Sequence, residues 1–270
     1  MSKFLKGYSH TALGQIHFRQ CRQVAGTPLV LLHQTASSGL MFEPLMGHLA
    51  ADFPTIAPDT PGFGNSFTPD SFTMGELAAA LHAALSDMGL EQCYLLGHHT
   101  GAALAVQMAY DYPKLARWLV LSGPPLLSPE QVAGLQAGLK PFALMTEGEH
   151  LLGTWQRIRQ RDPALPLELV QRELLLTQMA GAAAVQTYHA VFAQPFAEQL
   201  AALDIPILVL CGEHDTLRPS LEPAYRLLRQ GHMAIIPGAG PYLCDTHPQV
   251  IAELVREFAA GVDETERLRD

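Results

Sequence analysis

Short apolar runs alternate with stretches of helical period along most of the chain. Leu29-Val30-Leu31-Leu32 is a continuous apolar run, the pattern of a strand buried on both faces. A helical stretch follows over about 42–50. Next come Thr55-Ile56-Ala57-Pro58-Asp59 and the turn-rich Pro61-Gly62-Phe63-Gly64-Asn65-Ser66. Residues 74–88 carry helical periodicity, with Gly89 as the stop signal. Cys93 to Leu96 reads as the next strand, 101–112 as a helix stopped by Pro113, and 116–121 as a further strand. This alternation predicts an α/β fold: a mostly parallel central sheet with helices on both faces.

The pattern changes after Gly123-Pro124-Pro125. From about 128 to 196 the chain shows helical stretches and no convincing strand, with breaks at Pro163 and Pro166. This predicts an all-helical cap, 125–196, inserted into a core made of 1–124 and 197–270. Strand character returns at Ile205 to Gly212 and at Met233 to Pro237. A helix over 249–260 closes the fold, and the charged tail 263–270 is expected to fray.

Composition narrows the function. Of 270 residues, 48% are hydrophobic and 16% charged, enough apolar material for a sizeable core. A net charge of −9 leaves no basic stripe for phosphates, so a nucleic-acid partner is not expected. No apolar run is long enough to span a bilayer, and none follows the first lysines as in a signal peptide. Cys21, Cys93, Cys211 and Cys244 lack zinc-ligand spacing; buried free thiols in a cytoplasmic protein are expected.

One segment carries chemistry. Cys93 to Ala105 reads as strand, glycine-flanked turn and small-residue helix, the layout of a G-x-S-x-G nucleophile elbow, but His99 stands in the serine slot. Four more pieces occur in order around it. They are His33-Gln34-Thr35 after the first buried strand, Asp59 to Ser66 as D-x-P-G-x-G-x-S, Gly212-Glu213-His214-Asp215 at a strand end, and Pro237-Gly238-Ala239-Gly240-Pro241-Tyr242-Leu243. With these pieces the chain resembles the α/β-hydrolase fold family, of the capped type, over nearly its whole length. The resemblance implies an oxyanion turn at 33–35, a catalytic acid at Asp215 and a catalytic histidine at 241.

The departures matter as much. Position 99 is histidine, position 241 is proline, and the oxyanion-turn glycine is Gln34, so only Asp215 remains of a serine triad. The double change suggests a relocated imidazole: His99 reaches across the gap that proline vacates and hydrogen-bonds to Asp215. The positive end of the helix dipole opposes an imidazolium at 99, while a nearby carboxylate favours one. A neutral imidazole can act as a base or as a nucleophile. Backbone N–H groups of Thr35 and Thr100, beside Gln34, are the expected oxyanion donors.

Other residues have weaker claims. Ser37 and Ser38 lie in the oxyanion loop but not on the elbow. His98 and His33 read as packing and loop-tying residues, His98 with a possible substrate contact, and Asp59 as a holder of backbone amides. His33, His98, His99 and Asp215 together raise a metal site, but no ligand spacing supports one. His214 reads as an exposed turn residue; His247 could replace the lost histidine only if its loop is rearranged. In the cap, Tyr188 and His189 are candidates to face the pocket; Trp155 and Phe192 could line it or pack the cap. Met145 and Met179 read as core filler. No dinucleotide fingerprint is present and no cofactor is expected.

The predicted function is cofactor-free hydrolysis, or lyase-type cleavage, of a small ester, lactone or diketone-like carbonyl compound by His99 with Asp215. The family implies that substrate class. A competing reading is a catalytically inactive protein that holds a small ligand in the capped pocket. A homo-oligomer is open.

Overall fold

The computed structural model describes residues 4–140 and 143–267. Its strands are β1 (Leu5–Thr11), β2 (Gly14–Cys21), β3 (Leu29–Leu32), β4 (Thr55–Pro58), β5 (Cys93–His98), β6 (Ala116–Ser122), β7 (Ile207–Gly212) and β8 (Gly231–Ile236). They form one sheet in the order β1-β2-β4-β3-β5-β6-β7-β8, parallel from β4 onward and antiparallel at β1 and β2. The central strands β3, β4 and β7 are buried along their whole length, as continuous apolar runs require.

The helices among the described residues begin with α1 (Glu43–Leu49), α2 (Met74–Asp87) and α3 (Thr100–Asp111). Between β6 and β7 lie α4 (Pro129–Gly138), α5 (Glu149–Arg161), α6 (Leu167–Ala180), α7 (Ala182–Ala193) and α8 (Phe196–Ala202). The chain closes through α9 (Arg218–Tyr225), α10 (Leu243–Thr246) and α11 (Pro248–Arg267). Two apolar cores result, one on each sheet face. Leu81, Ala105 and Leu200 of α2, α3 and α8 sit in the first, and Leu45 and Val255 of α1 and α11 in the second. No described strand falls between β6 and β7, and Pro163 and Pro166 separate α5 from α6.

Three differences from the sequence reading have physical causes. The hairpin β1–β2 escaped because it mixes exposed and buried positions and carries His10, Gln15, His17 and Arg19 among its apolar residues. Residues 263–267, expected as a frayed tail, are helical in α11 and extend beyond Val262, its last residue buried in the second core; 268–270 lie outside the described residues. Met145 and Met179 are 49% and 60% exposed on the cap surface, not core filler. All four cysteines are free and buried. No helix among the described residues is long and apolar enough to cross a membrane.

Candidate active site

Strand order reverses between β3 and β5: the chain leaves β3 for β4 on one side and returns to β5 on the other. The carboxyl ends at such a switch point leave a crevice, the usual binding place in open α/β sheets. Here β3 runs out into His33 and β5 into His98 and His99. His99 has φ 51° and ψ −111°, the one positive-φ non-glycine residue among those described. Such a conformation costs on the order of 1–3 kcal/mol and persists only when its surroundings over-determine it. They do so here. The His99 N–H donates to the Ser122 carbonyl at 2.8 Å, and the His99 carbonyl accepts from Ala102 N at 2.8 Å. A Cβ on Gly97 would overlap the Gly101 carbonyl, and one on Gly101 would overlap the Leu32 carbonyl, so α3 seats hard against β3 and β5. A Cβ on Gly123 (φ 59°) would collide with the His99 ring; the space beside β6 is left open for that imidazole.

The ring reaches Asp215, with His99 Nε2 2.8 Å from Asp215 Oδ2. The Asp215 side chain is fully buried, whereas that of His99 is 15% exposed. The other carboxylate oxygen accepts from Leu217 N at 2.9 Å. Burial pushes the Asp215 carboxyl up, but attraction to His99, the hydrogen bond from it and the Leu217 amide outweigh this and bring it down to about 2. An ionised carboxylate can only accept, so a neutral His99 carries its proton on Nε2 and its lone pair on Nδ1. In a serine triad the acid holds Nδ1 and leaves Nε2 to react. Here the two nitrogens have exchanged places.

His98 contrasts with its neighbour. It is wholly buried, with Nε2 2.9 Å from the Pro241 carbonyl and Nδ1 2.8 Å from Ser122 Oγ. The carbonyl must accept, so Nε2 donates and Nδ1 accepts a hydrogen bond from the Ser122 hydroxyl. Burial, then the nearby His99, lowers His98 to about 3. It is a neutral pin that ties β5 to the 237–242 loop.

On the oxyanion side, His33 Nδ1 lies 2.8 Å from the Gln34 carbonyl, and Thr60 N donates to His33 Nε2 at 2.9 Å. The ring thereby joins this turn to the Asp59 loop. Burial is the largest influence on His33 and lowers it. Asp59 accepts from Gly39 N, Asn65 N and the His17 ring. Thr35 N points to Thr100 Oγ1 at a long 3.4 Å, and Thr100 N is a first-turn amide of α3 without an intrahelical acceptor. The two proposed donors therefore share one corner of the crevice. Tyr188 Oη donates to the Thr35 carbonyl at 3.3 Å. Ser37 Oγ donates to Glu173, and Ser38 caps the turn at Leu40, so both hydroxyls are engaged away from the dyad.

Several candidates lie elsewhere. His189 is exposed, on the side of α7 away from the Tyr188 contact; adjacent helical positions point about 100° apart. Trp155 packs against a cluster in which Ile158, Leu165 and Val170 of the cap meet Tyr242 of the core. His247 hydrogen-bonds Thr246 Oγ1 at 2.9 Å, with no described contact to His99 or Asp215. His214 is exposed beside Glu213. Phe192 stacks near Tyr188 and lines a cavity of about 170 Å³ with Pro125, Val191 and Phe196. Neither that cavity nor one of about 460 Å³ beside β8 is lined by His99 or Asp215. Among the described residues, no three His, Cys, Asp or Glu side chains gather where a metal ion could sit.

Residues the sequence reading missed frame the crevice. Arg172 bridges cap and core, meeting Asp245 at 2.7 and 2.8 Å and Glu173 at 2.9 and 2.7 Å. Burial raises the Glu173 and Asp245 carboxyls while Arg172 opposes that rise. Tyr242, next to Pro241, is buried, and burial pushes its hydroxyl up to about 12. Arg161, at the end of α5, lies beside the Tyr188 and Tyr242 hydroxyls. Only Tyr242 had a signal, its place in the loop that ends β8.

Comparison with known proteins agrees with this architecture. The model of the alpha/beta hydrolase fold family matches residues 27–248. The 2-succinyl-6-hydroxy-2,4-cyclohexadiene-1-carboxylate synthase of Pectobacterium atrosepticum is 30% identical over 254 residues, 85% of this chain and 92% of that protein. The 2-(acetamidomethylene)succinate hydrolase of Mesorhizobium japonicum is 23% identical over 259 residues, 91% of this chain and 92% of that protein. The crystal structure of an E-2-(acetamidomethylene)succinate hydrolase superposes with a TM-score of 0.78 at 22% identity, covering 95% of this chain and 99% of that one.

Proposed function

The chain belongs to the α/β-hydrolase fold family of enzymes, and from that premise we propose that it is a cofactor-free hydrolase or lyase-type enzyme acting on a small carbonyl compound without a serine nucleophile. The observation that carries this reading is the 2.8 Å contact between His99 Nε2 and Asp215 Oδ2. With the proton on Nε2 held by the carboxylate, Nδ1 is the base. It takes a proton from water as the water oxygen bonds to the substrate carbonyl carbon. The carbonyl oxygen gains negative charge and accepts from the Thr35 and Thr100 N–H groups. Collapse breaks the bond to the leaving group, which takes the proton back from Nδ1. Asp215 stabilises the imidazolium formed between these steps. A carbon leaving group makes the same sequence a C–C cleavage. Both curated relatives are named for carboxylate compounds, and we extend to this chain a small organic acid as the substrate. The buried free thiols support a reducing, cytoplasmic setting.

The test is a panel of esters, lactones and β-diketones, with and without carboxylates, on wild type and His99→Ala. A loss of about 10²-fold or more is expected, together with disappearance of the wild type's acid limb in kcat/KM, as removal of a general base produces. Equal low rates in both proteins would favour the ligand-holding alternative.

A further inference from the structure

The cap's arginines are in different states. Arg157 donates to Thr154, Arg159 to the Leu165 carbonyl, and Arg172 is clamped by two carboxylates. Arg161 has phenol hydroxyls for neighbours and forms no ion pair with any described carboxylate. Its side chain is exposed and sits beside those hydroxyls, so the guanidinium is open to a ligand from solvent. Its position relative to the dyad follows from its two tyrosines. Tyr188 hangs from the Thr35 carbonyl, in the turn that offers an oxyanion donor. Tyr242 follows Pro241, whose carbonyl is pinned by His98. Asp162, the next residue after Arg161, approaches the same loop: a Cβ on Gly240 would lie 3.0 Å from its Oδ2. The guanidinium is thus slung between the two loops that flank the vacated gap.

Neutral phenols leave this guanidinium's fork of N–H donors without a carboxylate partner from the protein, so the fork is open to an incoming anion. Its planar fork matches a carboxylate with two parallel N–H···O bonds. We propose that Arg161, steadied by Tyr188 and Tyr242, is the subsite for a carboxylate carried by the substrate, holding that group to one side so that a carbonyl a few bonds away meets His99. The class implied is a short acyl or keto acid. The assignment rests on the catalytic reading only for which bond reacts; the anion site itself does not depend on it.

Succinate serves as the probe, titrated calorimetrically into wild type, His99→Ala and Arg161→Gln, with far-UV dichroism and melting curves as folding controls. Succinate is expected to bind wild type and His99→Ala alike and to bind Arg161→Gln at least tenfold more weakly, with Arg161→Lys between them. In parallel, the kcat/KM ratio of 4-nitrophenyl hemisuccinate to 4-nitrophenyl butyrate is expected to fall at least tenfold in Arg161→Gln, mainly through KM. Should Arg161→Gln not fold, phenylglyoxal labelling of wild type at Arg161 is expected to be slowed by succinate. Unchanged succinate affinity in Arg161→Gln, no binding to wild type, no protection from phenylglyoxal, or tighter binding of inorganic phosphate than of succinate would each overturn the carboxylate subsite. Succinate binding that persists while His99→Ala leaves turnover unchanged would instead overturn the catalytic reading alone.

Discussion

The elbow after β5 and the loop after β8 face each other across the crevice, and they have departed from the family pattern in opposite ways. The elbow keeps every backbone device, with glycines at 97 and 101 and a positive φ at 99, yet carries a longer side chain. The 237–242 loop has lost its imidazole and contributes a backbone carbonyl, which His98 holds at 2.9 Å. One region gained a ring and the other lost one, and the carboxylate at 215 still has an imidazole partner. What the pair teaches is that an imidazole–carboxylate hydrogen bond can persist when the ring changes its point of attachment, with the opposite ring nitrogen turned to the acid.

The strongest blow to this arrangement is Asp215→Asn. An amide can donate to Nε2 and select the wrong tautomer, so kcat is expected to fall by about 10³–10⁴-fold with the fold intact; steady-state rates and a melting curve check both halves. Reversing the exchange sharpens the comparison next. Wild type should resist a serine-directed fluorophosphonate, while the double variant His99→Ser with Pro241→His should become labelled at 99, as mass spectrometry would show. A double variant that stays unlabelled means that the 237–242 backbone no longer presents a side chain to the elbow. Gly123→Ala puts a methyl group where the His99 ring lies and forces a left-handed backbone, so a loss of about 1–3 kcal/mol in stability is expected along with lower activity; chemical denaturation measures the first.

The pin between the two regions titrates in a known direction. His98 and His33 both have lowered pKa values in the folded protein. The unfolded chain therefore takes up protons first, from about pH 6.5 downward, and stability present above that pH is lost as pH falls toward 3 for His98. Each contributes at most about 1.4 kcal/mol per pH unit, and urea midpoints across this range should show a gentler slope in His98→Asn. Ser122→Ala, which removes one bond to the pin, has the smallest expected effect, about 1 kcal/mol in the same assay.

Much of this was legible in the residues. The buried strands declared themselves because a strand covered on both faces must be apolar throughout, and the elbow because close seating of α3 tolerates only glycine at 97 and 101. The pairing of His99 with Asp215 was foreseeable from a proline where an imidazole belongs. The hairpin β1–β2 was not, since its polar positions mask a period of two. Neither was α9, where Pro219 and Pro223 interrupt the helical pattern although Leu221 and Ala224 are buried in the core. Arg161 was invisible for a different reason. Nothing within α5 distinguishes it from Arg157 or Arg159; its surroundings come from Thr35, Tyr188 and Tyr242, far away in the chain.

Gly123 limits which side chains position 99 can present. Because any side chain there would occupy the volume of the ring, the pose that brings His99 to Asp215 depends on glycine at 123. The two positions are thereby expected to tolerate substitution only together, so that a residue making no contact with substrate sets what the elbow can carry.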